Sequence, residues 1–247
     1  MYNQSISIKD TQISSYLGLF IASIIIFSWF ISFVAFLSLD ISQIPLILIL
    51  FGVLFRTFLH TGLFIIIHES IHGVICQQQK VNDFLGYFTS LLYAILPYKI
   101  LAESHRLHHR YPATEKDPDF YPQAPNNFLL WYVTFMKKYQ KGKQFWILFT
   151  GMSVIFYTLI GLQIPLSNIL LFWLIPLLLS SLQLFTFGIF LPHRPIGEDY
   201  GDNPHRARST NYSVFWSFIT CYHFGYHLEH HERPDLPWYK LPSVRAN

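Results

Sequence analysis

Four long apolar stretches, arranged as two pairs, constrain this chain more than any other feature. Residues 16–39 carry no charge, and residues 44–67 are interrupted only by Arg56 and His60. Residues 145–162 are shorter but apolar, and residues 168–191 are again uncharged. A helix gains about 1.5 Å per residue, so about 20 apolar residues cross a bilayer. Only residues 40–43 separate the first pair, and residues 163–167, with Pro165, separate the second. The expected fold is all-α: four transmembrane helices in two tight hairpins, joined by a long polar middle. A fifth apolar piece, residues 84–96 before Pro97, is too short to span and reads as an interfacial or re-entrant helix.

Composition agrees. Charged residues make up 13% of the 247, about half the usual share of a soluble domain, and 52% are hydrophobic. That excludes a disordered chain, which needs low hydrophobicity and high charge. The net charge is +3, with no basic stripe, so nucleic acid is not an expected partner; the lipid bilayer is. Cys76 and Cys221 form no Cys-x-x-Cys motif and no disulfide framework.

Neither hairpin turn contains Lys or Arg, and every basic residue except Arg56 lies in the N-terminal, middle or C-terminal segment. The positive-inside rule therefore predicts that both termini and the segments 68–144 and 192–247 are cytoplasmic. No cleavage site precedes the first span, which reads as an anchor. Residues 113–127 and 194–211 read as loops. Residues 1–247 form one membrane domain, with a histidine-rich cytoplasmic cap.

Twelve residues are histidine, and eight of them fall into three clusters: His68 and His72 as HxxxH, then His105, His108 and His109, and His227, His230 and His231, both as HxxHH. On a helix, positions i, i+3 and i+4 share a face, so each cluster projects its imidazoles together. Pairs at this spacing on facing helices are how metal sites are built within bundles. Eight imidazoles exceed the capacity of one ion, so two metals are expected. His193, just past the last span, completes a set of nine that converge on one side of the membrane. A metal transporter would instead place its ligands near the bilayer midplane. Nine imidazoles without a thiolate do not fit a structural zinc, though imidazole alone suits iron, copper, nickel and zinc alike.

His223 lies one turn before His227 and is read as support for the ligands. Carboxylates orient ligand imidazoles through the other ring nitrogen. Candidates are Glu69, Glu103, Asp117, Asp119 and Glu229, with Asp117 and Asp119, in the Asp-Pro-Asp-Phe turn, preferred. His205 is expected to be solvated. Arg56, His60, Phe64 and His68 step by four along one helix face, which is expected to point inward. His60, Phe64, Tyr93, Phe187, Tyr222 and Phe224 are candidates for an apolar substrate cavity entered from the membrane.

Four stretches carry a resemblance: TGLFIIIHESIHG (61–73), HRLHHRYPATEKDPDF (105–120), SSLQLFTFGIFLPHRP (180–195) and FWSFITCYHFGYHLEHHERPDLPWYKLP (215–242). They resemble the membrane di-iron oxygenase and desaturase superfamily and, more narrowly, the bacterial and cyanobacterial β-carotene ketolases. The family usually shows Asp-Ala-Met between the first two histidines, where this chain has Glu69-Ser70-Ile71. The resemblance implies two iron ions on the nine histidines, with O2 as co-substrate and electrons from an external donor of the ferredoxin type. It implies oxidation of C4 of a β-ionone ring to a ketone, taking β-carotene to echinenone and then canthaxanthin. A carotenoid ring hydroxylase or a fatty-acyl desaturase on the same scaffold is the alternative.

Overall fold

The structure, a computed structural model, describes residues 8–195 and 203–245. All regular secondary structure among them is helical: α1 (Ile8–Leu37), α2 (Leu46–His72), α3 (Gln79–Ala94), α4 (Tyr98–Arg110), α5 (Phe128–Tyr139), α6 (Lys143–Gly161), α7 (Leu166–His193), α8 (Val214–Cys221), α9 (His227–Glu232), a 3-10 turn (Trp238–Lys240) and α10 (Leu241–Arg245). Residues 196–202 of the expected 194–211 loop lie outside the described residues, as do 1–7 and 246–247 at the termini.

Four helices are long and apolar enough to cross a membrane: Ser15–Leu37 of α1, α2, α6 and α7. They match the two expected hairpins. α2 runs on to His72, so the first histidine pair rides on the final turns of the span itself. Gly73, at φ 71°, ends that helix in the left-handed conformation that glycine adopts without strain.

The spans turn apolar side chains to lipid and bury polar ones beside an apolar core. Phe20, Phe27, Ile31, Phe51, Leu54, Trp146 and Tyr157 are exposed on the spans, where lipid solvates them, whereas Arg56, Thr57, His60, Thr61, Asn168 and Ser180 are buried. Between membrane helices the hydrophobic effect offers little, so packing and hydrogen bonds hold the contacts. Arg56 shows this. Its guanidinium donates to the Trp29 carbonyl (2.8 Å), Ser32 Oγ (2.7 Å) and the Phe172 carbonyl (3.1 Å), tying α1, α2 and α7 together. Phe172 lies in a π-helical turn of α7, Leu170–Leu174. At the other end of this network, Asn168 Nδ2 caps the end of α1 through the carbonyls of Phe36, Leu37 and Leu39. The two hairpin tips are therefore joined at one end of the bundle, and the histidines lie at the other.

The piece expected at 84–96 is part of α3, which joins α4 through a 105° bend at Ile95 to Pro97. Ile95 takes φ 54°, and Gly86 gives the room for Tyr98 to close the bend; a Cβ there would lie 2.3 Å from the Tyr98 ring. The Tyr93 ring at the end of α3 lies 4.5 Å from His60. His60 precedes His72 by about 18 Å along the helix axis. α3 thus runs back beside α2, and α4 turns away to carry the second histidine cluster over the end of α2.

Candidate metal centre

The nine histidines come from four elements: His68 and His72 from α2, His105, His108 and His109 from α4, His193 from the last turn of α7, and His227, His230 and His231 from α9. The short α9 is positioned by the loop before it, where Tyr222 (φ 47°) and His223 (φ 61°) both take left-handed conformations. A second π-helical turn in α7, Thr186–Phe190, precedes His193 and adjusts its direction.

Their ring nitrogens form two groups. His68, His72, His105, His109 and His230 make one, and His108, His193, His227 and His231 the other; within each, one nitrogen per residue lies within 4.8 Å of all the rest. Several Nε2 atoms nearly touch: His72 and His105 at 2.8 Å, His109 and His230 at 3.0 Å, His227 and His231 at 3.1 Å, His108 and His231 at 3.2 Å. Imidazoles crowded in this way without a carboxylate among them are a poor hydrogen-bond network but a good donor set for a cation. His68 Nε2, buried without a hydrogen-bond partner, is one such donor. The residues present thus fit two metal ions, one with five nitrogens and one with four.

The protonation states suit this. Burial first, and then repulsion from neighbouring imidazoles, holds His105, His227, His230 and His231 well below the usual histidine range and brings His109 down to about 2. Neutral imidazole is the form that ligates.

Outer contacts set the tautomers of three of these histidines. His108 Nδ1 faces Asp117 Oδ2 at 2.9 Å, His68 Nδ1 faces Glu69 Oε1 at 3.3 Å, and His193 Nδ1 donates to the Arg206 carbonyl at 2.9 Å, so each Nε2 carries its lone pair inward. Asp117 also accepts from the backbone N–H groups of Ala113 and Asp119, both at 2.8 Å. Burial opposes charge on both partners of the His108–Asp117 pair. Their mutual attraction and these hydrogen bonds outweigh it, so His108 is shifted up and Asp117 down. Glu69 is fixed in turn by the Trp238 N–H at 3.0 Å.

Other expected residues sit elsewhere. Asp119 reaches no ligand nitrogen by hydrogen bond; it accepts from the Tyr139 hydroxyl at 2.5 Å. His223 stacks on Tyr226 and packs near Trp238, and its ring contacts are with Phe218, Tyr226 and Trp238, none of them a ligand histidine. Glu103 is exposed, and Glu229 pairs with Ser209 and Arg245. His205 is partly buried, its ring 6.0 Å from His231.

A cavity of about 130 Å³ opens beside the histidines. His68 and His105 of one group and His108 and His227 of the other reach its wall, and most of the remaining lining is apolar. Of the expected cavity residues, Phe64, Tyr93 and Phe224 line it. His60, Phe187 and Tyr222 do not. His60 accepts from Trp29 Nε1 at 3.1 Å, Tyr222 stacks on Phe58 at 4.3 Å, and Phe187 packs near Tyr212. The stepped face of α2 points inward as expected, but its lower half serves helix packing, not the cavity. Sequence reasoning missed α5, whose Phe135, Met136 and Tyr139 close one side of the cavity. The available signal was its aromatic stripe at helical spacing: Phe128, Trp131, Phe135 and Tyr139.

Residues 42–247 match the model of the fatty acid desaturase family. The chain belongs to that family. It is 38% identical over 192 residues to a beta-carotene ketolase of Paracoccus sp., covering 77% of this chain and 76% of the relative. It is also 38% identical to a zeaxanthin 4-ketolase of Chlamydomonas reinhardtii, covering 76% of this chain and 42% of that longer protein. Identity to a sphingolipid delta(4)-desaturase of Oryza sativa subsp. japonica is 28%, over 77% of this chain and 61% of the relative. No solved structure matches the chain. Within the desaturase family, its similarity runs to the ketolase branch.

Proposed function

We propose that this chain is a β-carotene 4-ketolase, a membrane oxygenase that holds two iron ions on its nine histidines. The observation that carries this reading is the cavity wall, where both histidine groups meet one apolar space at the end of a membrane bundle. Similarity to ketolases over three quarters of the chain supports the substrate class. Iron at this site would supply activation of dioxygen toward an unactivated C–H bond.

The chain's own residues do the rest. Phe64, Ile71, Leu184, Phe185, Ile189 and Phe224 form an apolar wall that accepts a hydrocarbon end-ring and excludes water. Asp117, Glu69 and the Arg206 carbonyl hold three imidazoles in fixed tautomers. The first turnover converts the ring methylene, with O2, two electrons and two protons, into the C4 alcohol and water. A second turnover with the same co-reactants makes the gem-diol, which loses water to give the ketone. The electrons come from a one-electron donor of the ferredoxin type, docking on the cytoplasmic face where the basic residues concentrate. The termini and the histidines share that face.

Expression in cells that accumulate β-carotene tests this. Echinenone and canthaxanthin in the pigment extract are the expected products. Zeaxanthin, or unchanged β-carotene with an altered acyl-chain profile, would overturn the reading in favour of a hydroxylase or desaturase.

A further inference from the structure

One buried carboxylate on the cavity wall neither holds a histidine nor belongs to the apolar wall. Asp119 is 5% exposed and lines the cavity, with a carboxylate oxygen within 4.8 Å of a ring nitrogen of His108. Its Oδ1 accepts from the Tyr139 hydroxyl at 2.5 Å, and among the described residues Oδ2 has no hydrogen-bond partner. Its backbone is pinned on both sides. The N–H donates to Asp117 Oδ1 at 2.8 Å, and the carbonyl accepts from Trp131 Nε1 at 2.8 Å. The side chain is thus fixed as a hydrogen-bond acceptor at the edge of an apolar space.

Asp117 cannot share this role, because its carboxylate already serves His108, Ala113 and Asp119. A carboxylate oxygen at the edge of an apolar space gains from a donor that reaches it there, and a hydrocarbon ring offers it none. A species with a hydroxyl on the oxidised ring would supply such a donor.

We infer that Asp119, oriented by Tyr139, holds the C4 alcohol made in the first oxygenation and keeps it in the cavity for the second. This rests on the ketolase reading and adds a reason for its outcome. A site with only apolar walls would release the alcohol, whereas one with a fixed acceptor retains it until the ketone forms. Asp119 is therefore a residue that sets ketone over alcohol. No further co-reactant is needed, since both oxygenations use the dioxygen and electron donor already named.

The test compares the alcohol-to-ketone ratio in β-carotene-accumulating cells for the wild-type chain, Asp119→Ala, Asp119→Asn and Tyr139→Phe. Loss of one charge-assisted hydrogen bond should raise the ratio roughly 10-fold in Asp119→Ala. Asp119→Asn, which keeps an acceptor oxygen, should fall between Asp119→Ala and wild type. Tyr139→Phe, which loses only the orienting hydroxyl, should shift the ratio the same way and decides the matter if Asp119→Ala does not reach the membrane. A second readout needs no turnover. Purified protein without reductant should retain a 4-hydroxylated carotenoid over β-carotene, and Asp119→Ala should lose that preference. An unchanged ratio and preference in variants with normal metal content would overturn the inference. So would an effect confined to zeaxanthin-producing cells, which would assign the acceptor to a hydroxyl already on the substrate. Absence of any ketone from the wild-type chain would instead count against the ketolase reading itself.

Discussion

Asp117 Oδ2 lies 2.9 Å from His108 Nδ1, with both side chains almost fully buried. The carboxylate fixes which ring nitrogen faces the other histidines and makes it a stronger donor. Removing such an outer partner typically weakens metal binding 10- to 100-fold. Asp117→Ala should therefore lose metal to a chelator at roughly 10-fold lower chelator concentration or less, measured on purified protein. Equal retention would show that the pair serves only the turn.

His108 and His230 belong to different groups. His108→Ala and His230→Ala should each abolish ketone formation, because the reaction needs both ions, yet each should leave the other group's donors in place. Pigment extraction, together with immunodetection in the membrane fraction, checks this. Substantial ketone from either variant would remove that residue from the ligand set.

The pH response follows from the buried imidazoles. His105, His109, His227, His230 and His231 are depressed by burial and by one another. The unfolded chain protonates its histidines near 6.5, so below that pH it takes up protons that the folded chain refuses. Stability, fully present above about 6.5, is then lost as pH falls. His108 and Asp119, both shifted up, act oppositely, but they are two residues against five. Protons also compete with metal for the same nitrogens. The melting temperature of purified protein should drop between pH 7.5 and 5.5, with metal released over the same interval. A flat profile by scanning fluorimetry would contradict this.

Much of this architecture was legible in the sequence because bilayers impose simple rules. Length and absence of charge located the four spans, and the 3–4 residue spacing gathered the histidines of each cluster onto one helix face. What spacing could not supply was relative placement. The division of the nine histidines into five and four depends on the 105° bend after Ala94, and nothing local in residues 94–98 states its angle. His223 has the spacing of a supporting histidine, but the left-handed turn at Tyr222 and His223 breaks the helix that such spacing assumes and turns the ring toward Tyr226. His60 and Tyr222 lie on inward-facing surfaces, yet facing inward in a membrane bundle serves helix contact as readily as a cavity.

Gly188 lines the cavity, and a Cβ there would meet the Phe224 ring at 2.8 Å. Phe224 in turn packs 4.7 Å from the His68 ring. Gly188→Ala should push that ring into the space reserved for substrate and cut carotenoid conversion about 10-fold or more, since small misplacements cost that much. Metal content should stay near wild type, and parallel metal and pigment assays separate the two effects. Full activity would show that the carotenoid ring binds elsewhere.

Arg56 joins three spans through three hydrogen bonds, about 18 Å along α2 from His68 and the clustered histidines. At under 1 kcal/mol for a typical interhelical bond in a membrane, Arg56→Leu should cost about 2 kcal/mol. A lower melting temperature in detergent, with the wild-type metal content, is the expected outcome. An unchanged melting temperature would mean that the guanidinium merely fills space.

Two imidazole groups, each proposed to hold one iron, carry the proposed reaction. Metal analysis of protein purified anaerobically and supplied with ferrous iron tests this most directly. About two irons per chain, with a nitrogen-dominated X-ray absorption spectrum, is the result it predicts. A single ion per chain, or zinc retained in preference to iron, would contradict it.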